Sequence, residues 1–262
     1  MSEKKLVSII TPSFFSEDHI DDCIRSVLSQ TYENWEMLII DGNSKDSTLK
    51  IIEKYLLSDD RIKLIKNFND SGPAQARAIG IKKAKGDYIA FIDSDDIWSP
   101  KKISEQLKFM EINKYYFSFT SYKKLSRDNK LSSASIKGHF SNNFRQYLRR
   151  RGIANSTVML KAECFDESIF ENIGDSHGED TLWWLLIMKK GYKSYLLDKP
   201  LTIYREVKDS RSKEVLKNQK SVWFFYRKQL KLGILDVIFN YFFYLIDVII
   251  RRIRFYLKNN YN

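Results

Sequence analysis

The chain has 262 residues, of which 44 are Lys or Arg and 33 are Asp or Glu, for a formal net charge of +11. A hydrophobic fraction of 43% with only 10 Gly and 4 Pro excludes a disordered or fibrous chain, and two cysteines exclude a disulfide framework. Such a chain can bury a core as one catalytic unit with an appendage in a reducing compartment, and its charge is compatible with nucleic acid, an anionic membrane or a phosphate-bearing substrate.

The amino terminus, MSEKKLVSIITP, places two lysines before a short apolar run that a proline ends. The run is too short for a secretory signal, so the expectation is a protein that is not exported. Residues 6–11 are rich in Val and Ile and run into Pro12-Ser13, which predicts a buried strand followed by a loop. A helix follows through Ile20, Cys23, Ile24, Val27 and Leu28, with Ser16 as its N-cap. Residues 35–40 read as a second buried strand that ends at the turn cluster Asp41-Gly42-Asn43-Ser44. Residues 47–57 return to helical spacing through Leu49, Ile52 and Leu56, and residues 61–66 form a third strand. After a loop over 69–73 come a helix over 74–84, the turn Lys85-Gly86-Asp87 and the strongest strand, residues 88–92.

Strands alternating with helices imply a parallel sheet of right-handed crossovers, whose ligands bind beyond the carboxyl ends of the strands. The loops 12–15, 41–44 and 93–96 all open onto that edge. Beyond Ser99-Pro100, an N-cap and first-turn pair, the alternation loosens and aromatics become frequent, as in a mixed half that receives a second substrate.

The strongest strand runs directly into Asp93-Ser94-Asp95-Asp96, three carboxylates in four residues. A hard divalent cation takes oxygen ligands and shares its shell with substrate phosphates, so this loop suits a nucleotide diphosphate. The plain alternative is a solvated turn that caps a helix.

The ordered set VSIITPSF, SVLSQTYENWEMLIIDGNSKDST, NDSGPAQARAIGIKKAKGDYIAFIDSDDIWSP and GEDTLWWLLIMKKGY followed by IYR resembles the family 2 glycosyltransferases over about residues 5–206. Within that family it is most similar to enzymes of bacterial O-antigen, capsule and teichuronic acid synthesis. The resemblance implies an α/β GT-A fold, with a Rossmann-like nucleotide-binding sheet merging into a mixed acceptor-side half. It also implies transfer of a sugar from a nucleotide diphosphate with inversion. Carried onto this chain, Asp93 would contact the ribose or the metal, and Asp95 would bind the divalent ion, Mn2+ or Mg2+. Pro12 and Phe14 would flank the base, Asp41 would accept from the uracil N–H, and Arg77 would lie near the diphosphate or ribose. Asp180, beside Glu179 at the start of a helix, would be the catalytic base; capping of that helix is the plain alternative. Arg205 and Arg211 would meet the diphosphate, and His177 is a lesser candidate for the acceptor side. The family commonly has Asp-Asp where this chain has Asp41-Gly42, and many relatives carry a histidine where this chain has Glu206-Val207 after Tyr204-Arg205, which leaves a third metal ligand unassigned. Trp183 and Trp184 fit core packing better than sugar stacking, and Arg149-Arg150-Arg151 reads either as a surface run or as a contact for an acceptor phosphate.

Residues 234–250 are strongly apolar, with Asp236, Asn240 and Asp247 on one helical face and a broad aromatic and aliphatic face opposite. The pattern suits a helix lying in the plane of an anionic membrane; a core or dimer helix is the alternative. The expected organisation is a glycosyltransferase domain over 1–215, split into a nucleotide-sugar half, 1–98, and an acceptor half, 99–215, with a basic amphipathic tail over 216–262. The expected activity is transfer of glucose or galactose from a UDP-sugar to an undecaprenyl-diphosphate-linked saccharide in O-antigen assembly, at the cytoplasmic face of the bacterial inner membrane. A capsular or teichuronic acceptor, and a noncatalytic nucleotide-sugar-binding or scaffold protein, are the alternatives. Nucleic acid is not an expected partner, because acidic loops crowd the edge where a phosphate backbone would need cations.

Overall fold

The computed structural model describes residues 4–68, 72–166, 169, 179–207 and 222–260. Its first hundred residues form β1 (Val7–Ser13), α1 (Ile20–Leu28), β2 (Trp35–Asp41), α2 (Thr48–Leu56), β3 (Ile62–Lys66), α3 (Pro73–Lys83) and β4 (Tyr88–Phe91). All four strands are parallel in the order β3-β2-β1-β4. The chain moves outward from β1 to β3 and then returns to the other side of β1. The strand order therefore reverses between β1 and β4, the place where a parallel sheet opens a ligand crevice.

The sheet continues through the second half of the chain. β5 (Ile97–Trp98), α4 (Lys102–Asn113), β6 (Phe117–Leu125), β7 (Ser141–Asn142), α5 (Phe144–Arg149), β8 (Val158–Lys161), α6 (Glu179–Lys189) and β9 (Ser194–Arg205) follow, and the described chain ends in α7 (Ile234–Asn260). The full order is β3-β2-β1-β4-β8-β6-β9-β5, with β7 added on β9. β8 is antiparallel to both β4 and β6, whereas β9 runs parallel to β6. One mixed sheet thus spans both halves of the chain, from β1 to β9.

Strand alternation sorts the core onto two faces. Ile9, Met37, Ile39, Ala90 and Ile92 pack with α1, α2 and α4, and Ile10, Leu38, Ile40, Ile89 and Phe91 pack with α3 and α6. Both faces are covered, which is why these strands read as continuous apolar runs. Each fully buried Ile, Val or Leu side chain contributes about 1.5–3 kcal/mol. Gly80 lets α3 approach closely: a Cβ there would sit 2.7 Å from side-chain atoms of Ile10 and Ile40.

Local readings shifted where a tertiary contact intervened. Pro12 does not end β1 but lies within it, opposite Ile40. The Ile10 carbonyl accepts from Ile92 N–H, so Ile10 and Pro12 face β4, which has ended before it would require an N–H from Pro12. Ser16 is not the cap of α1, which begins after His19; its hydroxyl instead meets that of Ser94, 2.8 Å away. Likewise α4 starts after Lys101 rather than at Ser99-Pro100, and the Ser99 carbonyl accepts from the Gln30 side chain.

Candidate active site

At the carboxyl edge, the loops after β1, β2 and β4 are tied to one another. Asp41 is fully buried, and its two carboxylate oxygens accept from the Ser44 N–H and hydroxyl, both at 2.8 Å. The Ser44 hydroxyl accepts in turn from Phe15 N–H at 2.9 Å. Phe15 and Asn43 have φ values of 47° and 67°, so both loops carry left-handed residues that this network has to hold. Phe14 and Phe15 are half-exposed at the mouth, in edge-to-face contact at 4.5 Å. The Ser16 and Ser94 hydroxyls bridge the β1 loop to the carboxylate loop.

The carboxylate loop is held on every side. Asp93 Oδ1 accepts from the Arg77 guanidinium at 2.6 Å and from Asn155 Nδ2 at 3.1 Å, while Asp93 N–H donates to Ser156 Oγ at 3.0 Å. Arg77 is buried on α3, so Asp93 faces a desolvated cation rather than a surface charge. Asp95 is pushed up to about 6, first by burial and then by the Asp93 charge, with Arg205 and Arg77 pulling it down. Asp96 is buried and accepts from Arg205 N–H at 3.0 Å; burial, then the Asp95 and Asp93 charges, hold it well above the usual carboxylate range.

Arg205, at the end of β9, spans the outer side of this loop. Its Nε donates to the Asp95 carbonyl at 3.0 Å and its Nη2 to Asp22 at 2.8 Å. Asp180 sits in the first turn of α6, with its Oδ1 accepting from Thr181 N–H at 2.6 Å. Farther along α6, Trp183 and Trp184 are buried against Phe91, at 6.5 and 5.7 Å between ring centroids. Phe91 lies two residues before Asp93, so the start of α6 is anchored to the strand that carries the carboxylates. Both tryptophans belong to the core, as their helical setting predicts.

The structure therefore gathers Pro12, Phe14, Asp41, Arg77, Asp93, Asp95 and Arg205 at one edge. Arg211 and His177 lie outside the described residues, as does the Glu179 side chain. Asn155, Ser156 and Asp22 complete the site and carry no local signal: Asn155 is 62 residues from the carboxylate it holds. The Arg149-Arg150-Arg151 run is not a plain surface run, since Arg149 and Arg151 both pack against the carboxyl-terminal helix.

No group of three or more His, Cys, Asp or Glu side chains converges as a metal site among the described residues. Asp93 and Asp95 nevertheless fit a hard divalent ion. They are oxygen donors on one short loop, and two protein carboxylates leave the remaining positions to substrate oxygens, the usual manner of Mg2+.

The model of glycosyl transferase family 2 matches residues 8–168. The chain belongs to that family. It is 37% identical over 225 residues to a protein named for teichuronic acid biosynthesis, the glycosyltransferase TuaG of Bacillus subtilis (strain 168), covering 86% of this chain and 88% of that one. It is 41% identical over 207 residues to WfaP of Escherichia coli, a UDP-Glc:alpha-D-GlcNAc-diphosphoundecaprenol beta-1,3-glucosyltransferase, covering 77% of each. Among solved structures, S. aureus TarS 1-349 in complex with UDP-GlcNAc superimposes with a TM-score of 0.67 at 18% identity, over 85% of this chain and 66% of that one. A mannosyltransferase from Pyrobaculum calidifontis, in complex with GDP-Man and Mn2+, gives a TM-score of 0.65 at 12% identity, over 88% and 66%. The fold is GT-A, and the chain is a glycosyltransferase.

Proposed function

We propose that this family member is an inverting glycosyltransferase that moves a hexose, glucose or galactose, from a UDP-sugar to an undecaprenyl-diphosphate-linked saccharide in O-antigen-type polysaccharide assembly. The observation that carries the reading is the loop Asp93-Ser94-Asp95-Asp96, held at the strand-order switch by Arg77, Asn155, Ser156 and Arg205. Likeness to WfaP supports glucose and a diphosphate-lipid acceptor.

In this site Phe14 stacks on the uracil, and Asp41, fully buried and bound to the Ser44 N–H and hydroxyl, holds the loop beside the base instead of accepting from its ring N–H. Arg77 pairs with Asp93 at 2.6 Å and adds positive charge where the diphosphate lies. A divalent ion held by Asp93 and Asp95 would neutralise charge on the leaving UDP. Asp180 takes the proton of the acceptor hydroxyl as that oxygen attacks the anomeric carbon from the face opposite UDP, and Glu179 beside it keeps the helix start acidic. A base placed there operates with the helix dipole favouring its charged form.

The protein is read as peripheral to the cytoplasmic face of the inner membrane, where such an acceptor resides, with the carboxyl-terminal residues 216–262 meeting an anionic surface. Likeness to TuaG over nearly its whole length favours a teichuronic acceptor as the second reading. The test is UDP release from a panel of UDP-sugars with Mn2+, with and without a synthetic sugar-diphosphate-lipid. Acceptor-stimulated release from UDP-glucose or UDP-galactose is expected. UDP binding without transfer to any acceptor would return the noncatalytic reading.

A further inference from the structure

α7 is turned inside out for a helix on a water-soluble protein. Its inward stripe is Val237, Asn240, Tyr244 and Asp247, and the two polar members are met by the catalytic domain. Arg149 Nε donates to Asn240 Oδ1 at 2.8 Å, Arg151 N–H donates to Asp247 at 3.3 Å, and His139 Nε2 lies 3.6 Å from the same carboxylate. The Arg151 guanidinium lies over the Tyr244 ring at 4.5 Å, and Tyr226, whose hydroxyl donates to the Leu148 carbonyl, closes the seam.

The outward side is apolar apart from exposed Asp236 in the first turn. Ile234, Leu235, Ile238, Phe239, Phe242, Phe243, Ile246, Ile249, Ile250 and Ile253 are between 36% and 80% exposed, and Trp223 and Phe224 are exposed beside them. These twelve residues are more than half of all exposed large apolar side chains described, so the exposure is concentrated and not scattered. Ile234 to Ile253 covers about 28 Å of helix at roughly 1.5 Å per residue. No described helix is long and apolar enough to cross a membrane.

We propose that this face is a docking surface for an anionic lipid bilayer, with α7 lying in the membrane plane and the catalytic domain fixed to its polar side. The proposal gives a surface to the membrane location read above and rests on it. Charge selects the occupant. Exposed Arg227, Lys228 and Lys231 precede the helix, Arg149 lies at its rim over Phe239 at 4.8 Å, and the sequence places Arg251, Arg252, Arg254 and Lys258 in its last turns. Anionic headgroups complement such cations on both ends of an apolar stripe. A second copy does not: pairing two α7 faces, parallel or antiparallel, sets a basic end against a basic end. Because Asn240 and Asp247 pin the helix, the bilayer would hold the whole domain in one orientation rather than tether it loosely.

The test uses the full chain with phosphatidylglycerol-containing vesicles, pure phosphatidylcholine vesicles and brominated lipid. The wild type should float with the anionic vesicles and bind neutral ones more weakly. Trp223 is the exposed one of the five tryptophans, the other four being buried, so bromine in the upper acyl chain should quench its emission selectively. Ile238→Glu with Phe242→Glu and Ile249→Glu, all on the exposed face, should lower vesicle binding by about ten-fold or more while monomeric elution and UDP binding persist. Unchanged binding by that variant, or no quenching of the wild type on vesicles, overturns the proposal. So does a wild-type dimer that the variant dissolves, which would assign the face to a second copy. Failure of sugar transfer leaves these readouts intact and counts only against the proposed activity.

Discussion

Replacing Arg205 by alanine should loosen the carboxylate loop without touching any carboxylate. The guanidinium donates to the Asp95 carbonyl at 3.0 Å and to Asp22 at 2.8 Å, whereas the Arg205 N–H bond to Asp96 survives the substitution. A hydrogen bond from a charged group contributes about 1.5–3 kcal/mol. The Asp22 side chain is half-exposed, so that pair adds no more than about 1 kcal/mol. The expected loss is about 2–3 kcal/mol, or a fall in melting temperature of roughly 4–12 °C for a chain of this size. Arg205 also pulls the Asp95 pKa down, so without it Asp95 should rise further above about 6. Calorimetric titration of UDP with Mn2+ at neutral pH should then show affinity weakened about ten-fold, equivalent to about 1.4 kcal/mol. Arg205→Lys, which can reach one partner but not both, should fall between. An Arg205→Ala protein that melts earlier but binds UDP with wild-type affinity would refute the idea that this arginine positions the loop.

Asp180→Asn should abolish sugar transfer by about 10²–10⁴-fold while UDP binding stays within error, as single-turnover and calorimetric assays will show. In the metal-free protein, Asp95 binds its proton more tightly folded than unfolded, so its contribution to stability is full below its ordinary value of 3.8 and is lost as pH rises to about 6. The same proton competes with cations, so Mn2+-dependent UDP binding should strengthen as pH rises through about 6; a flat profile between pH 5 and pH 7, taken as about one unit either side, would contradict it. Lys102 is fully buried, with its amine 3.7 Å above the Trp98 ring and without a hydrogen-bond partner among the described residues. Burial depresses its pKa well below 10.5, so the wild type should gain stability as pH rises toward that value. Lys102→Met should raise stability at neutral pH by about 1–3 kcal/mol and remove the alkaline gain, read from melting curves across pH.

Local chemistry sufficed for the strands, the helices between them and the edge where the loops converge. Val- and Ile-rich runs buried on both faces have no other stable setting than a covered parallel sheet, and the alternation of strand and helix orders it. The three carboxylates after β4 were legible because they are contiguous. Most of the residues that hold them were not, because Asn155, Ser156 and Asp22 come from distant segments and each looks like an ordinary polar residue in its own neighbourhood; Arg205 was legible as a site residue, but not its bonds to the Asp95 carbonyl and Asp22. Ser16 shows the same limit: a good N-cap by type, it was drawn into a hydroxyl contact with Ser94, 78 residues away, that only the folded sheet creates.

The carboxyl-terminal helix divides the two kinds of knowledge most sharply. Periodicity alone established that one face of α7 is apolar and the other bears Asn240 and Asp247, because side chains at helical spacing share a face whatever surrounds them. Which face meets the protein was decided by tertiary structure. Arg149, Arg151 and His139 supply donors and charge that satisfy the polar stripe, and the large apolar side chains are left outward. A sequence determines what each face can bind; only the packed chain determines which binding groups are already taken.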